Sequence, residues 1–302
     1  MAKAKTTPEH LKTVAEELKK LEGTTYDIVR LRKPKDIEEA MALAKFISKL
    51  SPFAANILET EIIRTLNEPG KLDVGTKWKR QDPEFPDAIL LGAPEPKPGL
   101  EIKMWFPLAT EITASFRESQ ANLLGNNTSV AVIAWLPEFV LYGVPKIVGI
   151  FVTDALSLAK ARDDKYHKPP HYLVSEPEDT KKRTRNLQQR NCNGHAFQGN
   201  AEGLKKAEEI VAGWGKDFKT YSADAVFQQR INSLLSGFKY RLDTNFAKID
   251  RIEHPGLEAF KTETMAKQYD GKTVQEWADL IAAAEHDEAV ANGLRAVMKL
   301  DK

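Results

Sequence analysis

The longest apolar run, VAVIAWLPEFVLYGVPKIVGIFV at residues 130–152, constrains the fold more than any other stretch. Its length alone would suit a membrane span, but Pro137, Glu138, Pro145 and Lys146 break it. It reads as consecutive buried strands. Strand signals dominate from 72 to 153, with strands expected near 86–92, 99–105, 128–136 and 147–153. Between the second and third of these, ITASFRESQANLL (about 112–124) has a helical pattern ended by Gly125.

Helices precede this block. Leu11, Val14, Leu18 and Leu21 space an amphipathic helix over 8–22. A second helix is expected at 36–49 with Asp36 as N-cap, and a third at 51–70, stopped by Pro69-Gly70. The order helix, strand, strand, strand, helix, strand predicts an α/β (α+β) fold, with a mixed central sheet flanked by helices. A chain of 302 residues with 42% hydrophobic content can bury such a core. A single domain over 1–302 is expected, with its core at about 51–155 and the helices of 8–49 before it. Segment 161–200 is polar and basic. Residues 201–302 are mostly helical, in pieces near 202–213, 223–238, 256–268 and 273–298, and suit recognition or dimerisation.

The charge balance, +1 overall, excludes a histone-like polycation but not a DNA enzyme that sets a basic cleft against acidic outer faces. The lone Cys192 rules out an internal disulfide and fits a reducing cytoplasm. The charged N-terminal stretch lacks the apolar core of a signal peptide, so a cytoplasmic protein without a membrane segment is expected. Zinc is disfavoured: His10, His167, His171, His195, His254 and His286 are scattered, and Pro169-Pro170 separates the one close pair. The chain has no Gly-Lys-Ser/Thr phosphate loop, no GxSxG and no GxGxxG, so no nucleotide cofactor is expected.

The chemistry is concentrated in FPDAILLGAPEPKPGLEIKMWF (85–106). Side chains alternate along a strand, so Glu101 and Lys103 share one face and Ile102 takes the other. Asp87 opens the preceding strand, and the Pro- and Gly-rich GAPEPKPG connects the two. If those strands pair, the three charged groups meet at one end of the sheet. Two carboxylates so placed repel each other unless a divalent cation lies between them. Mg²⁺ is typically held by one or two carboxylates plus waters and phosphate oxygens. A lysine beside such a site orients or helps to deprotonate a water, or stabilises charge in the transition state.

Pro86-Asp87 followed by Glu101-Ile102-Lys103 resembles the motif of the PD-(D/E)XK nuclease superfamily, most familiar as the type II restriction endonucleases. Its α-β-β-β-α-β core matches the order read above. The resemblance implies that Asp87 and Glu101 are Mg²⁺ ligands, with the backbone carbonyl of Ile102 as a third candidate, and that Lys103 is catalytic. The family often carries a glutamate on the preceding helix in the pattern small-x-x-Glu-x-x-Ile. NILETEII supplies Asn56, Glu59 and Ile62. Glu59 falls at the margin of the apolar face, between Leu66 and Ile63, whereas Glu61 falls nearer Ile57 and Thr65. Glu59 is the better candidate and Glu61 the weaker one. The family also places a polar residue on the following helix, which makes Gln120 and Arg117 candidates for phosphate contact.

Two basic stretches are candidates for DNA contact. KKRTRNLQQR (181–190) holds five basic residues and no acidic one: Lys181, Lys182, Arg183, Arg185 and Arg190. Gln188, Gln189, Asn191 and Asn193 lie within or just after it. Arg and Lys read guanine edges, Asn and Gln read adenine, and the positive charge neutralises phosphate. In KWKRQ (77–81), Lys77, Lys79 and Arg80 precede the Pro-Asp motif, and Trp78 is expected to be a packing residue.

The resemblance implies a Mg²⁺-dependent type II restriction endonuclease acting on double-stranded DNA. Its products would carry 5′-phosphate and 3′-hydroxyl ends. A homodimer is expected, because a two-fold DNA site calls for a two-fold protein. A structure-specific repair or recombination nuclease of the same fold stays open, as does a DNA-binding protein without catalysis.

Overall fold

The computed structural model describes residues 5–81, 84–109, 112, 114–116, 118, 120–123, 125, 127–166, 172–175, 193–197, 199–215, 225–242, 247–282 and 291–295. In chain order its named elements begin with helices α1 (Thr7–Lys19) and α2 (Ile37–Leu66). Strands β1 (Lys77–Arg80), β2 (Ala88–Leu91), β3 (Gly99–Trp105), β4 (Thr128–Phe139) and β5 (Tyr142–Asp154) follow. Then come α3 (Ala155–Tyr166), β6 (Tyr172–Ser175), β7 (Asn193–Phe197), α4 (Ala201–Ala212), α5 (Ala225–Gly237) and β8 (Tyr240–Leu242). The chain continues with α6 (Pro255–Ala266), β9 (Gln268–Tyr269), β10 (Lys272–Thr273) and α7 (Val274–Ala282). None of the helices among the described residues is long and apolar enough to cross a membrane.

The chain divides into two compact units. The first comprises Met1–Ala114, Asn127–Asp154 and Pro255–Lys302, and the second Ser115–Asn126 and Ala155–His254. The first holds a five-stranded mixed sheet in the order β1-β2-β3-β4-β5. The β3–β4 pair is parallel and the other three are antiparallel. The apolar run of the sequence is the β4–β5 hairpin, and residues 130–136 are all buried. The hairpin runs past the expected strand ends because its prolines face each other, Pro137 opposite Pro145. Register shifts flank Pro137, whose missing N–H takes no part in the ladder. Segment 23–31 covers the outer edge of β5, through bridges Thr25–Lys146 and Leu31–Gly143.

Helices cover both faces of this sheet. Cross-strand register puts Arg80, Ala88, Leu100 and Ile102 on one face, and α2 lies against it at β1 and β3. The side chain of Asn67, the C-cap of α2, acts as a surrogate strand for Trp78. It accepts from the backbone N of Trp78 at 2.8 Å and donates to its carbonyl at 2.9 Å. The packing reading of Trp78 holds, because the ring is buried. On the other face α6 lies over β3–β5, with Phe260 against Trp105 and Phe151 at 5.7 and 5.9 Å between ring centroids. Gly149 permits that approach: a Cβ there would stand 3.0 Å from the Phe260 ring.

Two helix expectations need correction. Helices at 36–49 and 51–70 are one helix, α2, with Pro52 inside it. Asp36 does cap it, accepting from Glu39 N at 2.9 Å. A single proline deprives the helix of one hydrogen bond, and burial of Ile47, Ala54 and Leu58 on either side outweighs that loss. Among the described residues of 112–124, where a helix was expected, there is a β-bridge at Ser115 to Lys248 and a 3₁₀ turn at Gln120–Leu123. Backbone groups of this segment are engaged elsewhere in the second unit. Phe116 N donates to Ala247 O at 2.7 Å, and the fully buried Arg162 donates to the carbonyls of Phe116 and Glu118 at 3.2 and 2.9 Å. Carbonyls held by a guanidinium are drawn away from a helical ladder.

The second unit also holds α3, α4, α5 and an antiparallel sheet in the order β6-β7-β8. Ala207, Ile231 and Leu234 centre its core, packed by Phe197, Phe238 and Tyr240.

Candidate active site

The site forms where two strands part. β2 pairs with β3 only at Ala88–Leu100 and Ile89–Gly99, so β3 runs on past the start of β2 with that edge open. Asp87, the residue just before β2, fills the gap with its side chain. Its Oδ2 accepts from the backbone N of Ile102 at 2.7 Å, and its own backbone N donates to Oε2 of Glu101 at 3.1 Å. This reciprocal clip fixes both carboxylates on a rigid strand edge and satisfies two main-chain donors. The other oxygen of Glu101, Oε1, is ion-paired to the Lys103 ammonium. Glu101 is 6% exposed. Oδ1 of Asp87 carries no hydrogen bond among the described residues.

Glu59 approaches from α2. Its Oε1 lies 3.0 Å from Nη2 of Arg80, which also bonds the Thr60 hydroxyl. Burial pushes the Glu59 carboxyl up to about 7, and the charge of Asp87 pushes the same way; Arg80 and Lys103 work against them. Glu101 is likewise raised, first by burial, with Lys103 opposing and Asp87 adding to the rise. Burial disfavours the Lys103 ammonium, but Glu101 and Asp87 outweigh it and hold the group above the ordinary lysine range. The four side chains therefore form one electrostatic cluster, in which Lys103 stays charged and the carboxylates crowd one another.

Glu61 turns away from the cluster and pairs with Arg64 on its own helix, at 2.6 Å. Arg80, a candidate for DNA contact, faces α2 and is paired with Glu59. Strand alternation is the reason: in β1, Trp78 and Arg80 turn to the helix while Lys77 and Lys79 turn out and are exposed. Through Lys79–Ile89–Gly99, those two lysines share the sheet face of Glu101 and Lys103. The Arg80–Glu59 bond was not legible in the sequence, because nothing in KWKR marks which residues face inward.

Gln120 opens the 3₁₀ turn of the second unit and does not stand on an α-helix. Arg117 lies outside the described residues, as do Lys181, Lys182, Arg183, Arg185, Gln188, Gln189, Arg190 and Asn191. Asn193 begins β7, paired with Ser175 at the end of β6.

Hard oxygen donors are what Mg²⁺ requires, and Asp87 and Glu101 provide two carboxylates beside the carbonyl of Ile102. Among the described residues no group of three or more Asp, Glu, His or Cys side chains makes a metal site by itself. One or two carboxylates completed by water and phosphate is the usual Mg²⁺ arrangement, and this donor set fits it.

The raised Glu59 carboxyl has a measurable consequence without metal. A glutamate at about 7 in the fold against 4.5 ordinarily binds its proton more tightly folded than unfolded. Its stabilising contribution is complete below pH 4.5 and is lost as pH rises through 7. The loss is on the order of 3 kcal/mol. Glu59→Gln should remove that slope and be the more stable protein at pH 8, as read by urea midpoints at pH 5 and 8 with chelator present. A slope unchanged by the substitution would place the titrating group elsewhere.

The chain matches no protein-family model, no curated protein and no solved structure among those compared with it.

Proposed function

We propose that this protein is a Mg²⁺-dependent endonuclease that hydrolyses phosphodiester bonds of double-stranded DNA at a specific site, in the manner of the type II restriction endonucleases. The observation that carries the reading is the convergence of Asp87, Glu101 and Lys103, with Glu59 beside them, in the notch where β2 parts from β3. The order α2-β1-β2-β3-β4 supports a restriction-endonuclease-like core, with a 3₁₀ turn at Gln120–Leu123 among the described residues between β3 and β4.

Asp87 and Glu101, with the Ile102 carbonyl, would hold Mg²⁺, which when bound supplies Lewis acidity at the scissile phosphate. The charged Lys103 orients the attacking water and stabilises the negative charge that builds on the phosphoryl oxygens. Glu101 and Asp87 favour the ammonium form of Lys103, which makes it a donor to the water and not the acceptor of its proton; that proton passes to solvent or to a neighbouring phosphate. The water oxygen bonds to phosphorus, the bond to the 3′ oxygen breaks, and the ends are 5′-phosphate and 3′-hydroxyl. Exposed Lys77 and Lys79, on the face of Glu101 and Lys103, are placed to neutralise the DNA backbone.

The test is incubation of phage and plasmid DNA with the protein and Mg²⁺, followed by end sequencing. Discrete bands with a common terminal sequence are expected. A smear would reassign the protein to structure-specific or unspecific cleavage. Intact DNA at all metal concentrations would remove the nuclease reading.

A further inference from the structure

Asp87 stands one residue outside β2, where the regular strand pairing does not reach it. β1 ends at Arg80, opposite Ala88, and the next residue is Gln81. Gln81 holds two successive carbonyls of the Pro86-Asp87 segment. Its backbone N donates to Asp87 O at 2.8 Å, and its side-chain Nε2 donates to Pro86 O at 3.1 Å. The first bond carries the β1–β2 ladder one residue past its end. The second lets a side chain carry it one residue further, and so satisfies a carbonyl that no strand N–H meets. Gln81 is half-buried, as are Pro86 and Asp87.

The pose of Asp87 matters because the rest of the cluster is committed. Oδ2 of Asp87 accepts from Ile102 N, Oε2 of Glu101 accepts from Asp87 N, and Oε1 of Glu101 is paired with Lys103. Oδ1 of Asp87 carries no hydrogen bond among the described residues, so its direction decides how a cation is first met. The bonds to Glu101 and Ile102 tether Asp87 to β3 along one edge. A segment tethered along one edge still rocks about it. Gln81 grips the opposite edge from the β1 side, and the two grips together fix where Oδ1 lies. We propose that Gln81 is a positioning residue, which aims Oδ1 of Asp87 at the cation by holding the Pro86 and Asp87 carbonyls. The inference rests on the nuclease reading and adds a residue that the reading does not use. The residue type suits the task. A glutamate has no N–H to give, a lysine sets a positive charge beside a cation site, and an asparagine is one methylene shorter. Groups that hold a metal ligand in place typically count for about ten- to a hundredfold in metal affinity or activity.

Titration of the full chain with MgCl₂, without DNA, followed at the amide resonances of Glu101 and Ile102, measures the metal midpoint directly. Gln81→Met keeps the length of the side chain and the main-chain bond but removes the donor. Its Mg²⁺ midpoint should rise about tenfold or more. In plasmid cleavage its kcat should fall by about the same factor while KM for DNA holds. Gln81→Asn should behave in the same way. Urea denaturation with chelator present checks that both variants fold. A Mg²⁺ midpoint equal to that of wild type overturns the proposal whatever the urea midpoint does, and leaves Gln81 as a clamp on the chain alone. A higher KM at unchanged kcat also overturns it, and makes Gln81 a contact to DNA. Wild-type protein whose resonances do not move and which leaves DNA intact would end the nuclease reading and this proposal with it. Wild-type cleavage matched by both variants would end the proposal alone.

Discussion

Asp87→Asn should leave the fold intact and reduce Mg²⁺-dependent DNA cleavage by roughly a thousandfold or more. The substitution separates the two roles of the side chain. Asp87 closes the open edge of β3 by accepting from Ile102 N, and an asparagine carbonyl oxygen at that place still accepts, as a neutral bond in place of a charge-assisted one. The clip from Asp87 N to Glu101 is main-chain on the donor side and is unaffected. The negative charge is lost, and with it repulsion on Glu101 and Glu59, which Asp87 raises. The metal-free variant should therefore melt no lower than wild type. Cleavage should collapse because one of two carboxylates offered to a hard cation has become a neutral amide. Cleavage within a few-fold of wild type, with an unchanged melt, would mean that Asp87 only holds the sheet together. That is the structural ion-pair alternative.

The parts of the fold that were legible in the sequence are those where local pattern and burial agree. The apolar hairpin of β4 and β5 is buried along both faces, and nothing else would accept so continuous a run. Asp36 marks its helix start because the cap is a local bond. Asp87, Glu101 and Lys103 were legible because alternation along β3 and the hairpin before it act over few residues. Where tertiary contacts override local preference, the sequence misleads. ITASFRESQANLL has a helical pattern, yet Arg162, some forty residues on, takes its carbonyls. β1 was hidden because half of its residues are lysines facing solvent, and its assignment depends on Asn67 and on pairing with β2. Arg80 shows the same limit within the site. Its charge suggests phosphate, but the register that turns it toward Glu59 is set by strand pairing, which no short window encodes.

Lys103→Met should destabilise the metal-free protein by about 3 kcal/mol at pH 8 and by far less at pH 5. The ammonium is the charge partner of Glu101, which is 6% exposed and lies beside Asp87. With the lysine gone, what stabilises that carboxylate is mainly the N–H of Asp87. Breaking a buried pair from one side costs more than the pair contributes, because the remaining charge is stranded. The stranded group escapes by taking a proton, which gives the sign of the pH effect. Glu101 already titrates above its ordinary 4.5, and losing the lysine moves it higher. An acid raised in the fold stabilises below its unfolded value and forfeits that stability as pH rises through the folded one. The deficit of Lys103→Met should therefore open between pH 5 and 8. Adding Glu101→Gln should close most of it: the amide oxygen still accepts from Asp87 N, and the buried carboxylate that faced the ammonium most closely is gone. Urea denaturation of the two single variants and the double at both pH values measures this. Cleavage should be lost in all three, so the recovered stability of the double variant would separate the structural role of the pair from its catalytic one. A Lys103→Met protein as stable as wild type at pH 8 would mean that Glu101 and Lys103 do not form a close buried pair in solution, and the cluster on which the nuclease reading rests would fall with it.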